Sequence, residues 1–263
     1  MTWAAAAMTM AVLVFIVGFI FVKGVPHIKP SLFSPTYNSV NVSLTPALAT
    51  TLIMASMALG AAVPLGVFAA IYLTEYASRG NKVVALVRVT AETLSGIPSI
   101  VYGLFGSLFF VVFLGWGYSV LAGACTLSIM ILPLVMRSAE EAIRSVPDTY
   151  REGSFGLGAG KLRTVFRIVL PSAAPGILAG VILSAGRIVG ETAALIYTAG
   201  TVAQIPTSAM QSAETLSVHM YRLSSEGLHT NESYATAVVL LAVTAAINYA
   251  SGRIARRLGT GRQ

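Results

Sequence analysis

The most restrictive feature of this sequence is a set of three long intervals without a charged residue. They run from Lys29 to Glu75, from Glu92 to Arg137 and from Glu232 to Arg253. A helix needs about 20 apolar residues to cross the hydrocarbon core of a bilayer, so each interval can hold at least one spanning segment. With 56% hydrophobic and only 10% charged residues, the chain is typical of an integral membrane protein and not of a globular one.

Six spanning helices are predicted, which makes the fold all-α and transmembrane. The apolar segments cover residues 3–22, 47–72, 83–114, 119–136, 177–199 and 234–251. The third is too long for one crossing and contains Gly96-Ile97-Pro98-Ser99, so we expect a break there. A cleaved signal peptide is the alternative for the first segment, but the apolar run is long and no basic region precedes it, which favours a retained helix. Residues 1–263 are treated as a single transmembrane domain.

The distribution of cations predicts the orientation in the membrane. Thirteen Lys and Arg residues fall in 76–90, 137–176 and the C-terminal tail, against three on the other side, which are Lys23, Lys29 and Arg222. Because cytoplasmic loops are enriched in Lys and Arg, both termini of this multi-pass chain are expected in the cytoplasm. Membrane lipid as a partner accounts for the net charge of +7, and no nucleic acid is needed.

The longest charged interval, residues 137–176, is predicted to form two short helices joined by a glycine-rich turn. Asp148 can cap a first helix from 149 to about 157, and glycines at 156, 158 and 160 then break the pattern. A second helix is predicted from 161 to 170, because apolar residues recur there at helical spacing. Pro171 is expected to end it, since proline has no backbone N–H to donate.

This interval resembles the EAA loop of binding-protein-dependent ABC importer permeases. The resemblance is carried by Glu152-Gly153-Ser154, Gly158 and Ile168-Val169-Leu170-Pro171, with Gly153 and Ser154 where the family usually has alanine. It implies a six-helix bundle of the type I (MetI-like) permease fold, in which the cytoplasmic segment 138–176 docks two coupling helices on a separate ATPase. It assigns ATPase coupling to Glu152, Gly158, Ile168, Leu170 and Pro171.

The glycine-rich turn is not expected to bind a nucleotide. Gly160-Lys161 is similar to part of a P-loop, but Phe155 stands where that motif needs glycine and Leu162 where it needs serine or threonine. We therefore expect a non-catalytic subunit that binds no cofactor, with ATP and Mg on the partner ATPase. No metal site is expected, because the histidines lack metal-ligand spacing and are predicted to be solvated residues of external loops: His27, His219 and His229.

Arg187 is the most unusual charged residue, because it lies about ten residues into the predicted fifth span. At 1.5 Å per residue this is about 15 Å, near the middle of a hydrocarbon core about 30 Å thick. An arginine at that depth must face protein or water. Glu191, four residues on, is predicted to share its helix face. The two residues form either a structural ion pair or, as we favour, part of a polar path.

Three further residues are candidates for the same path, each with a simpler alternative. Arg137 ends the fourth span and could instead extend to the lipid headgroups. Arg88 precedes Glu92 by four residues, which favours an interfacial salt bridge. Ser99 begins the second half of the broken span, whose amides could face an anion, although a simple kink explains the same residues. Arginines directed at a membrane path predict an anionic substrate such as phosphate or sulfate.

Two stretches resemble the permeases of phosphate-specific importers, and the A-type subunit (PstA) more than its C-type partner. They are Gly96-Ile97-Pro98-Ser99-Ile100-Val101-Tyr102-Gly103-Leu104-Phe105 and Ala185-Gly186-Arg187-Ile188-Val189-Gly190-Glu191-Thr192-Ala193. The resemblance implicates Arg137, Arg187 and Glu191 in the pathway. It implies three partners in a prokaryotic inner membrane: a homologous C-type permease, a dimer of ATP-binding subunits and an extracytoplasmic phosphate-binding protein. It covers 47–199 and is less diagnostic over the external loops.

Three alternatives to a phosphate importer stay open at this point. The same machine could carry another oxyanion, an amino acid or another small solute. A secondary carrier driven by protons or sodium could use Arg187 and Glu191 as its relay, but it gives no reason for the spacing of the EAA loop. A membrane signalling scaffold would tolerate neutralisation of Arg187.

Overall fold

The structure is a computed structural model that describes residues 2–78 and 80–260, and it has no β-strand within those ranges. Its helices are α1 (Thr2–Gly24), α2 (Thr45–Ile71), α3 (Lys82–Ser95), α4 (Ser99–Gly106), α5 (Val120–Arg144), α6 (Asp148–Gly156), α7 (Lys161–Thr164), α8 (Leu170–Val189), α9 (Ala193–Ile196), α10 (Leu216–Glu226) and α11 (Thr230–Thr260). π-Helical turns continue α2, α4 and α7, and they are Tyr72–Tyr76, Ser107–Phe113 and Val165–Val169. Short 3-10 turns, Val25–His27 and Pro30–Phe33, follow α1. Arg79 and Arg262, included in the cation count, lie outside the described residues.

Five of the described helices are long and apolar enough to cross a membrane, and a bent pair makes a sixth. The pair is α3 followed by Ser99–Phe113, with an angle of 102° at the break. The predicted break in the third span is therefore confirmed. The hydroxyl of Tyr102 on α4 donates a hydrogen bond to the carbonyl oxygen of Leu94 on α3 at 2.8 Å, which ties the two halves together across the bend.

The fifth span differs from the prediction, because Lys161–Val189 is one continuous helix of 29 residues. Pro171 was expected to end the helix after 170, and this prediction is wrong. The π-helical turn Val165–Val169 ends directly before α8 and changes the hydrogen-bond pattern where the proline N–H is missing. The span accordingly ends at Val189, ten residues before the predicted limit.

The centre of the bundle is formed by α2, α5 and α8. In the most apolar part of α5, 61% of the residues are buried, whereas none is buried in the corresponding part of α1. Gly180 of α8 lies directly on α5, where a Cβ at this position would overlap that of Ser138. Small residues at such positions let spanning helices approach closely. α1 instead lies outside and contacts α11, with Phe19 edge-on to Tyr234 at 5.9 Å between ring centroids.

The polar segment between α8 and α11 is folded onto the end of the bundle where α2 and α5 begin. Gln211 accepts the backbone N–H of Val120 at 2.9 Å, and Thr51 accepts that of Leu216 at 2.8 Å. This segment contains α10 (Leu216–Glu226). Its first turns are buried, and His219 is completely enclosed. The prediction that His219 is solvated is therefore wrong.

Candidate functional site

Arg187 lies in the last turn of α8, two residues before the helix ends. The predicted position, ten residues into the span, is wrong because the continuous helix begins at Lys161. Its side chain is half-buried and makes no hydrogen bond or ion pair with any residue that the structure describes. The phenol of Tyr102, next to the bend between α3 and α4, lies within electrostatic range of it. Arg187 is therefore a guanidinium inside the bundle with its donors unused by the described chain.

Glu191 does not share a helix face with Arg187, because α8 ends at Val189 and Gly190 follows. The predicted i, i+4 arrangement is therefore wrong. The Glu191 side chain is buried, and its Oε1 accepts the backbone N–H of Ala194 in α9 at 3.1 Å. Its carbonyl oxygen accepts a hydrogen bond from Ser217 of α10 at 2.6 Å. The acid is thus fixed at the point where α8, α9 and α10 meet.

Ser99 is the first residue of α4 and is half-buried, directly after the bend. α4 packs on α9, where Gly103 lies so close to Ala194 that a Cβ on the glycine would be 2.8 Å from the Ala194 Cα. The bend between α3 and α4 is thereby brought towards the end of α8, which carries Arg187. A polar group that entered here would meet a guanidinium and a phenol within an otherwise apolar bundle.

Arg88 and Arg137 line a second site, which is a cavity of about 190 Å³ between α3 and α5. Arg88 does not pair with Glu92 as predicted, but with Glu140 of α5 at 2.8 Å. Glu92 lies 3.8 Å from Arg137 instead. Glu140, which is 6% exposed, also contacts Arg144 at 2.7 Å. Sequence reasoning missed Glu140, although its place four residues before Arg144 in a helix was a usable signal.

The coupling segment consists of α6, a turn, and the helix that starts with α7. Gly158 has φ +81°, a conformation that favours glycine and that makes the turn between the helices possible. Ser154, where the EAA family usually has alanine, is buried, and its hydroxyl lies 2.8 Å from that of Thr164. Glu152 and Gly158 are exposed, whereas the other positions assigned to coupling, Ile168, Leu170 and Pro171, are half-buried.

Large apolar side chains are exposed along this segment and are interspersed with cations. They are Tyr150, Phe155, Leu157, Leu162 and Phe166. An exposed apolar patch with a polar rim is typical of a surface that binds another protein. This surface lies at the end of the bundle where α2 and α5 finish, remote in the fold from Glu191 and α9.

A sequence profile of the family described as "Binding-protein-dependent transport system inner membrane component" matches residues 62–261. This chain belongs to that family. The permease is 41% identical over 179 residues to the "Probable ABC transporter permease protein YqgI" of Bacillus subtilis, covering 63% of this chain and 60% of that protein. It is 43% identical over 150 residues to the "Phosphate transport system permease protein PstA 1" of Mycobacterium tuberculosis, covering 57% and 48%. It thus spans about half to three fifths of the length of these relatives.

Solved structures support the fold of the permease. A bacterial alginate ABC transporter in complex with its periplasmic protein gives a TM-score of 0.68 at 16% identity, covering 98% of this chain and 96% of that one. The MetNI methionine ABC transporter gives 0.64 at 20% identity, covering 82% and 94%. At these identities the likeness concerns the fold alone. The expected type I (MetI-like) bundle is confirmed.

The permease also contains a buried polar cluster, in the segment between α8 and α11, that sequence reasoning missed. Glu214 is fully enclosed and lies 2.6 Å from Nδ1 of His219, and Arg222 donates two hydrogen bonds to it at 2.9 Å. Burial by itself would raise the pKa of Glu214, but the hydrogen bonds from His219 and Arg222 outweigh it and hold the pKa below its usual value. The guanidinium also stacks over the ring of Tyr37, which fixes the loop before α2.

Proposed function

We propose that this permease forms half of the translocation pathway of an ATP-driven phosphate importer. The observation that carries the proposal is Arg187, a guanidinium within the bundle without a carboxylate partner in the described chain. An arginine in a membrane must be compensated by water, another chain or an anion. Its planar fork suits the oxygens of phosphate. Relatives named phosphate transport permeases support this choice of anion.

In this proposal the pathway residues form two sites. Arg187 binds the anion where the bend between α3 and α4 approaches α8, with Ser99 at the start of α4 and Glu191 on the opposite side. Arg88 and Arg137 then face the anion at the cytoplasmic end, in the cavity beside Glu140. The ion pairs of that cavity would have to open to admit a substrate, since both carboxylates already face the arginines.

In this proposal the ATPase moves the coupling segment. Glu152 and Gly158, together with Ile168, Leu170 and Pro171, would contact an ATPase subunit that binds ATP and Mg, while this permease binds no cofactor and catalyses no reaction. Movement of α6 and α7 would tilt the spanning helices as rigid bodies and alternate the access. Segment 138–176 is thus part of the single transmembrane domain that residues 1–263 form.

The partners proposed are a homologous C-type permease, two ATP-binding subunits and an extracytoplasmic phosphate-binding protein. The first would complete the pathway opposite Arg187. The last would dock on the external side, where α10 and the loop before α2 are joined through Arg222. This arrangement requires α6 and both termini on the cytoplasmic side.

Two substitutions separate substrate handling from coupling. Arg187→Ala should abolish phosphate uptake by the assembled complex in liposomes while the complex still forms, and Arg187→Lys should restore only part of it because the bidentate fork is lost. Glu152→Lys should instead release the ATPase, measured by co-purification. Full uptake by both Arg187→Ala and Glu152→Lys would overturn the proposal.

Another oxyanion is the nearest alternative, because a guanidinium accepts sulfate as readily as phosphate by shape and charge. Competition of labelled phosphate uptake by excess sulfate and molybdate decides between them: a phosphate importer is unaffected. A secondary carrier would instead show uptake by this chain alone, driven by an ion gradient. A signalling scaffold would retain its function with Arg187 neutralised.

A further inference from the structure

Arg151 of α6 connects the coupling segment to the second span. Its Nε and Nη2 donate to Oε1 of Glu75 at 3.1 and 2.7 Å. Nη2 also donates to the carbonyl oxygen of Ile143 at 3.0 Å, and Nη1 donates to that of Val146 at 2.7 Å and to Asp148 at 3.1 Å. One side chain therefore joins α6, the end of α5 and the π-helical turn that ends α2.

This junction is enclosed and specific for arginine. The side chain of Arg151 is 16% exposed and that of Glu75 is 10% exposed. The five hydrogen bonds correspond to the five N–H donors of a guanidinium, so no donor is left for solvent. A lysine at this position carries the same charge, but it cannot bond in all these directions at once. In contrast, the contact of Arg151 with Asp148 is at the surface.

The second coupling helix contacts the same turn at the next residue. The ammonium group of Lys161, the first residue of α7, lies 5.1 Å from the centre of the Tyr76 ring. The π-helical turn Tyr72–Tyr76 therefore receives α6 through Glu75 and α7 through Tyr76. Both helices of the coupling segment converge on two consecutive residues at the end of α2.

The other end of α2 is linked to the surroundings of Glu191. The hydroxyl of Thr51 accepts the backbone N–H of Leu216 at 2.8 Å, and the next residue, Ser217, donates to the carbonyl oxygen of Glu191 at 2.6 Å. α2 is thus a continuous helical element from the coupling segment to α10. This element offers a path along which a displacement of its π-helical end would reach that contact.

We infer that Arg151 and Glu75 transmit the movement of the coupling segment to α2, and that the turn Tyr72–Tyr76 is the element that receives it. Arg151 is here a positioning residue that makes no contact with substrate or nucleotide. The inference rests on the proposed function in one respect, since it takes α6 and α7 to be the elements that an ATPase moves.

The transmission is tested by the ratio of phosphate taken up to ATP hydrolysed in the assembled complex. Glu75→Gln and Arg151→Lys should lower this ratio about tenfold, within the range of coupling between distant sites, while ATP hydrolysis continues. Arg253→Lys is the matched control, because Arg253 is exposed and bonds only to Tyr249 among the contacts described. A fall of uptake and hydrolysis in the same proportion would show that the pair only supports folding, and no change would show that it transmits nothing; either result overturns the inference.

A second measurement does not depend on the substrate. Spin labels at two exposed positions, Ser56 on α2 and Thr149 on α6, report whether the two helices move together. Their separation should stay constant when ATP binds to the wild-type complex and should change in the Glu75→Gln complex. The inference is wrong if ATP changes the separation equally in both. A wild-type complex that takes up no phosphate would contradict the proposed function but leave this measurement decisive.

Discussion

The arginines of this permease differ in what neutralises them. Arg88, Arg151 and Arg222 each contact a carboxylate that is mostly or completely buried. Arg187 has no such contact within the described residues, although it is half-buried like them. A buried charge without a partner is costly, and it is retained where its function requires it. Charge compensation therefore distinguishes a candidate substrate contact from structural pairs.

The buried Glu214 predicts a loss of stability in acid. Its pKa is lower in the folded protein, so its contribution is complete above the pKa of a free glutamate, about 4.3, and is lost as the pH falls towards the folded value. Glu214→Gln should lower the free energy of unfolding by about 3 kcal/mol at neutral pH and by much less in acid. Thermal unfolding of the purified complex at a series of pH values measures this.

Glu226→Gln is the control for that experiment. Glu226 contacts the same arginine, Arg222, at 3.3 Å, but it is 43% exposed and should contribute little at any pH. Equal effects of the Gln substitutions at 214 and 226 would mean that burial does not decide the strength of the cluster.

Single residues could be predicted only where the signal is local. Arg187 was evident as a charge in an apolar run, and Gly158 as a turn residue. The pairing of Arg151 with Glu75 joins residues 76 positions apart, so no local pattern indicates it. Glu191 was misplaced because helical spacing was continued through Gly190, where the helix ends.

At the level of secondary-structure elements, the sequence predicted which helices exist better than it predicted where they begin and end. The broken third span was predicted correctly, because proline and glycine at 96–98 interrupt an otherwise apolar run. The helix through Pro171 was missed, since proline is usually a terminator and a π-helical turn cannot be read from apolar spacing.

The contact of α8 with α5 predicts opposite effects for two similar substitutions. Gly180→Ala would place a methyl group into Ser138 and should lower the free energy of unfolding by about 1–3 kcal/mol. Gly60→Ala, at an exposed position of α2 where a Cβ meets nothing, should raise it slightly because alanine favours a helix. Thermal unfolding of the two variants measures both changes in stability. Destabilisation of similar size at both positions would contradict close packing at Gly180.

The architecture of the whole molecule was predicted best. The apolar segments indicated the number of spans, because the thickness of the bilayer fixes the length of apolar chain that must cross it. The end of the bundle where α2 and α5 begin was the least predictable, since its polar loop looks soluble by composition and is nevertheless packed over α5 and α2.

Orientation is tested on the whole chain. Both termini should be cytoplasmic, so a cysteine at Thr2 should be protected from a membrane-impermeant thiol reagent in intact cells. A cysteine at Val40, which is 91% exposed in the loop before α2, should react. The background is a Cys125→Ala chain, since Cys125 is the single cysteine. Labelling at Thr2 with protection at Val40 would invert the topology.

Because the helix is continuous from Lys161 through Arg187, a tilt at its Lys161 end displaces the guanidinium at the other end. The distance between these residues is about 39 Å at 1.5 Å per residue. A pivot of only about 5° at the base therefore swings the guanidinium by about 3 Å, which is the length of a hydrogen bond. A small tilt at Lys161 would therefore be enough to break a hydrogen bond made by Arg187.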